Sequence, residues 1–440
     1  MSFSLNPDPF GVKILGALLA LIALLVAISF LFPLFVSVII LNYLLLYLVV
    51  LFLLLYIQHP EEKKARKAAR PYSLAVLIPC YNSKKTIKKC IDSVKAMKYP
   101  LHFRVIVADD GSTDGTTELL RGFRGIELIE LPHRGKGAAM NSGLERINED
   151  VIACIDSDTY PEPNTLLKLS GHLDDPKIGA VAAMLCPDKR DTFIQRVQCL
   201  EYLMGFGFWN TVLSTVNIMS YVTGPLTLFK RSALKKVGYF FDTKNLAEDM
   251  DVGLRLQEGG YKIKVCASVK CETDVPDSIG KLARQRDRWY RSRVYNLIKH
   301  RGLFFNNANP SLGFFGLPYL FMVELLMIVL LLRVCILLLS NMLDWLRLNG
   351  LLFFSGNVLP GLSFDFSIAT QTYFFVASMA GIAIQYCVGL SLAKYRFKKS
   401  DILPLIFHVT IYPYFLALIY LIGMVKEFIG AKPVWERAST

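Results

Sequence analysis

An α/β domain inserted into a bundle of membrane-spanning helices is the fold class this sequence predicts, and three observations predict it. The chain is 53% hydrophobic and yet carries a formal charge of +13, a pairing that marks a membrane protein with a sizeable soluble part. Its apolar residues are segregated into long, nearly uncharged stretches toward both ends. Between those stretches, short apolar runs alternate with amphipathic ones at the spacing of strand–helix–strand units.

The N-terminal stretch, residues 11–57, is almost uncharged, is interrupted by Pro33, and is long enough for two spans of about 20 residues each. It is too long for a signal peptide and lacks a small-residue cleavage pattern. Further spans are expected over 314–339, 367–393 and 402–425, with residues 351–362 suited to a short re-entrant or interfacial piece. Lys and Arg crowd residues 61–70 and Lys394-Tyr-Arg-Phe-Lys-Lys399, whereas 340–365 holds only Arg347. Short cytoplasmic loops carry such basic excess, so the large middle segment is expected to face the cytoplasm of a multi-pass plasma-membrane protein. The expected organisation is two N-terminal spans over 1–58, a cytoplasmic α/β domain over 59–275, interfacial amphipathic helices over 276–312, about three spans over 313–428, and a tail over 429–440. Nine cysteines without a Cys-x-x-Cys pair suit a reducing compartment. The basic excess fits attraction to a lipid surface and calls for no nucleic-acid partner.

Within the middle segment, strands are expected over 73–79, 103–109, 126–131 and 151–156, with helices over 84–97, 116–123 and 136–147. This alternation implies right-handed crossovers and a mostly parallel sheet. The last strand is the most telling. Val151-Ile-Ala-Cys-Ile155 is apolar at every position, which suits a strand covered on both faces, and it runs directly into Asp156-Ser-Asp158 and the turn at Pro161. Ligands of open α/β sheets bind beyond the carboxyl ends of the strands, and two hard oxygen ligands there suit a divalent cation held against a diphosphate.

Two more polar clusters follow apolar strands in the same way: Pro79-Cys-Tyr81-Asn82 and Asp109-Asp110-Gly-Ser112. Each alone is ordinary turn or capping chemistry, but three in order turn one sheet edge into a nucleotide site. There Asp109 or Asp110 is placed to hydrogen-bond a base or ribose. Arg134-Gly-Lys136-Gly adds a basic patch at a helix start, suited to a diphosphate or to solvent. Neither a P-loop nor a Gly-x-Gly-x-x-Gly fingerprint is present.

The Asp-x-Asp spacing recurs in Glu248-Asp249-Met-Asp251, at the start of a predicted helix that ends near Gly259 and Gly260. Acids in a first turn complement the helix dipole, and that is the reading adopted for Asp251. A carboxylate at such a place stays ionised at neutral pH, as a general base must, and Asp249 is the candidate. Upstream, Thr223-Gly224-Pro225 forms a turn whose backbone can approach a bound sugar. Downstream, Lys281, Arg284, Arg286, Arg288, Arg291 and Arg293 interleave with apolar residues as in a basic amphipathic helix on an anionic leaflet. Gln285, Arg288 and Trp289 cluster within it, a fork donor for phosphate beside a flat ring for stacking. In the apolar segment, Glu324 is a costly ionisable group expected to line a polar path for the product, while Arg333 lies nearer the end and can snorkel.

Taken in order, Pro-Cys-Tyr-Asn, Asp-Asp-Gly-Ser, Asp-Ser-Asp, Thr-Gly-Pro, Ala-Glu-Asp and Gln-Arg-Asp-Arg-Trp resemble the motifs of the processive family 2 glycosyltransferases, among them cellulose, hyaluronan, chitin-oligosaccharide and poly-N-acetylglucosamine synthases. The likeness covers residues 73–290 by motif. It implies a GT-A (Rossmann-like) domain that inverts the anomeric centre of a UDP-sugar and builds a β-linked polysaccharide, with Mg²⁺ or Mn²⁺ as cofactor. By position it implies Tyr81 and Asp110 at the uracil end of a donor site that includes Pro79, Asn82 and Lys136. Asp156 and Asp158 would then hold the diphosphate and metal, and Asp249, beside Glu248, would act as base. Gln285 and Arg288 would engage the diphosphate, with Trp289 and the Thr223-Gly224-Pro225 turn at the acceptor sugar. The Thr-Glu-Asp of cellulose synthase is Ala247-Glu-Asp here, and no cyclic-dinucleotide control domain is expected. The Gly224-Pro225-Leu226 triplet is similar to that of hyaluronan and chitin-oligosaccharide synthases, which points to UDP-N-acetylhexosamine or UDP-glucuronate. The Gln-x-x-Arg-Trp element also occurs in ceramide glucosyltransferases, so addition of one sugar to a lipid is the alternative. A transporter or channel that senses nucleotide sugars is the remote one, because it would need no base.

Overall fold

The computed structural model describes residues 9–31, 47, 50, 51, 53–55, 57, 58, 65–307, 309–354 and 369–431. The middle segment folds as alternation demands. Strands β1 (Leu74–Cys80), β2 (Arg104–Asp109), β3 (Glu127–Glu130) and β4 (Val151–Ile155) are followed by β5 (Thr159–Pro161), β6 (Ile178–Pro187), β7 (Leu226–Lys230) and β8 (Lys262–Thr273). They form one sheet in the order β3-β2-β1-β4-β7-β6-β8-β5.

The first four strands are parallel, as expected. The other half departs from that expectation: β7 runs antiparallel between β4 and β6, and β5 is antiparallel on β8. β7 follows a long helical excursion that includes Phe193–Tyr202 and Asn210–Thr215, so the handedness rule for a single crossover helix does not fix its direction. β5 is only three residues long, too short to announce itself by periodicity.

Both faces of the sheet are covered. Leu74, Val76, Ile78 and Cys80 of β1 join one apolar cluster with helix Ile87–Lys95, while Ala75 and Leu77 join another with helix Lys136–Leu144. β4 divides likewise, Val151, Ala153 and Ile155 against Ile152 and Cys154. Strict alternation of side chains to opposite faces is what lets a continuously apolar strand serve two layers. It also carries the polar ends of β1, β2 and β4 to one edge.

Helices Glu248–Glu258 and Ile279–Lys299 are tied together by buried charge. Asp251 is fully buried, and its carboxylate accepts from Arg255 Nε (2.8 Å), Lys299 Nζ (2.5 Å) and His300 Nε2 (3.0 Å). Burial alone would raise its pKa, but these cations hold it well below the ordinary carboxylate range. The first-turn capping role expected of Asp251 is therefore corrected: a side chain in contact with three cations on two helices is an interhelical hub.

In the basic helix, three of the six cations meet acids of neighbouring helices. Arg286 pairs with Glu201, Arg291 with Glu427 (3.1 Å), Arg293 with Glu324, and Lys426 with Asp287 (3.1 Å). These guanidinium groups face acids of neighbouring helices rather than a lipid leaflet, because Arg286 and Arg291 are buried.

Of the expected spans, the one at 314–339 lies in a continuous helix, Leu317–Phe354. Residues 340–354 are thus helical rather than loop, and 355–362 fall outside the described residues. Ser311–Arg347 is the single helix, among the described residues, long and apolar enough to cross a membrane; Lys399–Thr410 with Tyr412–Phe428 would be a second if that pair, bent by 48°, is one span. Pro9–Leu31 is helical, whereas the rest of the expected second span falls largely outside the described residues. Arg333 does not snorkel: it is buried, its guanidinium 5.3 Å from the Phe30 ring centroid.

His300 provides a test of the interhelical hub. Burial lowers its pKa, but bonds to Asp251 and Glu258 more than offset this and leave it raised above 6.5. A raised histidine pKa contributes stability that is fully present below the unfolded value and is lost as pH climbs through the folded one. The excess thermal stability of wild type over His300→Gln is therefore expected to be greatest near pH 6 and to shrink above pH ~7, as read by unfolding midpoints across pH. Asp251→Ala, which strands the cations, is expected to cost about 3–5 kcal/mol.

Candidate active site

The edge where β1, β2 and β4 end carries two linked groups of residues. The first starts at β4. The Asp156 amide donates to Pro225 O (3.0 Å) and its carbonyl accepts from the Thr159 amide (3.0 Å), so the strand leaves the sheet in a tight turn with the Thr-Gly-Pro segment beside it. Lys136, at the start of its helix, reaches across: its Nζ lies 2.7 Å from Asp156 Oδ1 and 2.7 Å from Glu248 Oε1. Burial alone would lower the Lys136 pKa, but the two carboxylates hold it above the ordinary lysine value.

Asp249 stands next to Glu248 and is half-buried. Its Oδ1 accepts from the Met250 amide (2.8 Å), and Gly224 forms the wall opposite. A Cβ on Gly224 would meet Asp249 Oδ2 at 2.9 Å, so only glycine lets the turn backbone come this close to the carboxylate. Gly137 does the same for Lys136: a Cβ there would meet Asp242 O at 3.0 Å, which presses the Lys136 helix onto the loop that leads to Glu248. Burial, and next the charge of Glu248, raise the Asp249 pKa to about 6, with Lys136 opposing them. A carboxylate of that pKa is a competent base at neutral pH, with more proton affinity than a solvated aspartate.

The second group surrounds the ends of β1 and β2. Asn82 has a positive φ of 48°, and its Oδ1 accepts from the Thr113 amide (2.8 Å) while its own amide donates to Ser112 Oγ (2.9 Å). Asp110 is buried, its two oxygens accepting from the Arg134 and Gly135 amides (both 2.8 Å). It therefore sets the course of the loop into Lys136. The Tyr81 ring stacks on His133 with centroids 4.2 Å apart, which makes a flat platform at the same edge. Asp109 accepts from Ser112 and Thr117 hydroxyls. Pro79 is buried within β1, and Thr223 is buried with its hydroxyl 3.5 Å from Ala183 O; these two side chains support the edge from inside.

The motif helix Ile279–Lys299 borders the loop that leads into the Glu248–Glu258 helix. Arg288 donates to Leu246 O (3.5 Å), and Asn296 pairs with Asn245 through Asn245 Nδ2 to Asn296 Oδ1 (2.7 Å), so this helix holds the loop that precedes Glu248. Gln285 and Trp289 both touch Arg286: Gln285 Oε1 accepts from it, and its guanidinium lies 4.0 Å from the Trp289 ring centroid. Glu201 and Tyr412, which complete this contact, carried no sequence signal, since an acid in one amphipathic helix and a tyrosine in an apolar one are unremarkable on their own. His133 was equally silent.

Asp158 closes the turn: its carbonyl accepts from the Asp274 amide (3.1 Å), joining the end of β4 to the end of β8. Among the described residues no group of three or more His, Cys, Asp or Glu side chains converges as a metal cage. The Asp156 and Asp158 pair offers hard oxygen donors of the kind that hold Mg²⁺ or Mn²⁺ when substrate phosphates supply the remaining ligands.

Comparison with known proteins bears on the family and the fold. Residues 75–238 match the model of Glycosyl transferase family 2. The poly-beta-1,6-N-acetyl-D-glucosamine synthase of Staphylococcus epidermidis is 28% identical over 339 residues, covering 76% of this chain and 78% of that protein. Its counterpart in Staphylococcus aureus (strain COL) is 32% identical over 223 residues, 49% of this chain and 53% of that protein. Among solved structures, the mannosyltransferase PcManGT from Pyrobaculum calidifontis, in complex with GDP-Man and Mn2+, is alike in fold, with a TM-score of 0.55 at 19% identity over 89% of this chain and 98% of that one. The chain thus carries a family 2 glycosyltransferase domain of GT-A-like α/β fold and is a homologue of the poly-β-1,6-N-acetyl-D-glucosamine synthases.

Proposed function

We propose that this chain is a membrane-embedded, inverting and processive glycosyltransferase that extends a β-linked N-acetylglucosamine polysaccharide from cytoplasmic UDP-GlcNAc and threads it outward. The observation that carries the reading is the meeting of a strand-end carboxylate, a lysine and a helix-start carboxylate within one cleft, Asp156–Lys136–Glu248 with Asp249 alongside. The choice of N-acetylglucosamine draws on the relatives named above. The membrane reading is supported by the Ser311–Arg347 helix, an 18-residue stretch of which has a mean hydropathy of 2.8, and by the exposed Leu338, Leu339, Met342 and Leu343 along it.

In this reading the nucleotide lies along the edge formed by Tyr81, Asn82 and the loop that Asp110 shapes, and its diphosphate faces Lys136, Gln285 and Arg288. The acceptor sugar rests at Trp289 and the Gly224-Pro225 turn. Asp249 takes the proton from the acceptor hydroxyl as its oxygen bonds to the anomeric carbon. The bond to UDP breaks on the opposite face, so an α donor yields a β linkage. Fixed positive charge at the departing diphosphate lowers the barrier most, because it meets charge that develops only as that bond breaks. A divalent cation held by Asp158 and Asp156 would add to this neutralisation when bound.

The decisive experiment offers the purified full-length protein a panel of UDP-sugars with Mg²⁺ or Mn²⁺, and reads UDP release together with the product on a gel. A ladder or smear from UDP-GlcNAc, abolished by chelation and restored by either metal, is expected. A single added sugar would move the assignment to the lipid-acceptor alternative, and no UDP release from any donor would end the transferase reading.

Asp249→Asn is expected to lower turnover by about 10²–10⁴-fold, the worth of a positioned base. Since the carboxyl is protonated below its pKa of about 6, kcat/KM should fall as the pH drops through that value. In Lys136→Met the charge that opposes protonation is gone, so the acid limb should move to higher pH.

Gly224→Ala separates position from fold. Its methyl group meets the mobile end of Asp249 rather than backbone, so the unfolding midpoint should stay near that of wild type. Turnover should fall by about 10²-fold, as expected when a reacting group is displaced by an ångström.

A further inference from the structure

Glu201 lies outside every motif of the proposed reaction, yet it closes a buried network beneath the Gln-Arg-Asp-Arg-Trp element. Arg286 is 1% exposed, and each part of its guanidinium is engaged. Nε donates to Glu201 Oε1 (3.3 Å) and Nη2 to Glu201 Oε2 (2.5 Å); Nη1 donates to Gln285 Oε1, and the planar face covers the Trp289 ring at 4.0 Å. Tyr412 Oη donates to the same Glu201 Oε2 (2.9 Å). The network thus joins helix Phe193–Tyr202, the motif helix and helix Tyr412–Phe428.

An arginine so deeply buried stays in place only if its charge is matched and its donors are used. Glu201 does both, and the result is directional. Arginine has no acceptor, so the Gln285 amide must present its oxygen to Arg286 and keep its NH₂ for another partner, as an anionic diphosphate requires. The guanidinium covers one face of the indole, so a sugar stacked on Trp289 would have to use the opposite one.

We propose that Glu201 is a positioning residue for the acceptor site, acting through Arg286 to fix the Trp289 indole and the Gln285 amide. The inference rests on the acceptor role given to Trp289 above. A merely stabilising ion pair would be a poor choice here, because apolar residues of like volume stabilise a core as well or better; what the pair adds is orientation of two neighbouring motif residues.

The test is a double-mutant cycle in the full-length enzyme, with UDP-GlcNAc saturating and a β-linked N-acetylglucosamine oligosaccharide varied as acceptor. Glu201→Gln keeps size and one acceptor oxygen but removes the charge, and it is expected to raise the acceptor KM about tenfold, the equivalent of one oriented contact. In the Trp289→Ala background the same change should alter the acceptor KM by less than about twofold, since Glu201 acts on it through Trp289. Tyr412→Phe, which keeps both charges, should show the same dependence on Trp289 with a smaller rise, and it serves where Glu201→Gln does not fold. Losses that multiply in the double variants, or an acceptor KM unmoved by either single change, overturn the positioning role. A wild-type enzyme that transfers no sugar overturns the functional reading itself, a result distinct from active wild type with unaffected variants.

Discussion

The amine of Lys136 is the contact on which the candidate active site depends. At 2.7 Å from both Asp156 and Glu248, it joins the end of β4 to the start of the Glu248–Glu258 helix, two places that would otherwise repel. Each pair of carboxylates at contact distance costs about 4 kcal/mol at a partly screened site, and Asp249 adds a third charge beside Glu248. One lysine facing three carboxylates lets the site assemble but leaves it net negative. A diphosphate cannot enter such a cleft on its own charge. Under the proposed function it has to arrive with, or meet, further positive charge, and Arg288 is one place where the fold offers it.

The second requirement of the proposed function is that Asp249 and Trp289 keep their relative positions. They stand on different helices, and three contacts along those helices fix the register. Arg288 reaches Leu246 O, Asn296 pairs with Asn245, and Lys299 with His300 holds Asp251. The first two sit on the loop just before Glu248 and the last just after Asp249, so Asp249 is bracketed. A helix secured on both sides of one residue cannot rotate that residue away without breaking contacts at each end. Arg286 extends the scheme to the far side of the motif helix, where Glu201 and Tyr412 anchor it to two further elements.

How much of this was legible in the sequence depends on how local the cause is. β1, β2 and β4 were readable because unbroken apolar runs have one cheap outcome, a strand covered on both faces, and their polar ends then had to share an edge. The edge between β6, β7 and β8 was not readable. Its antiparallel strand follows a long helical excursion, and no rule of adjacent elements orients it. The basic character of residues 281–293 was visible, but its purpose was not. The acids that meet Arg286, Arg291 and Arg293 lie 85, 136 and 31 residues away, and a charge pattern on one helix is the same whether it faces phosphate headgroups or distant carboxylates. Lys136 is the intermediate case: a lysine at a glycine-flanked helix start suggested an anion, and the structure pairs it with two protein carboxylates.

The same limit applies to the two Asp-x-Asp elements, which are indistinguishable by spacing and opposite in use. At 156–158 the chain leaves a strand in a turn, so both side chains start beyond the sheet edge and a ligand can reach them. At 249–251 the chain has entered a helix, where residues two apart point to nearly opposite sides. One of the pair must therefore face inward. Asp251 does, and three cations make its burial tolerable. Asp249 faces outward, against Gly224, where burial and Glu248 raise its proton affinity. The helix thus splits two like residues into a structural anion and the carboxylate proposed as base. The strand-end pair follows a turn instead, so Asp156 reaches Lys136 while the Asp158 carbonyl ties the turn to the end of β8.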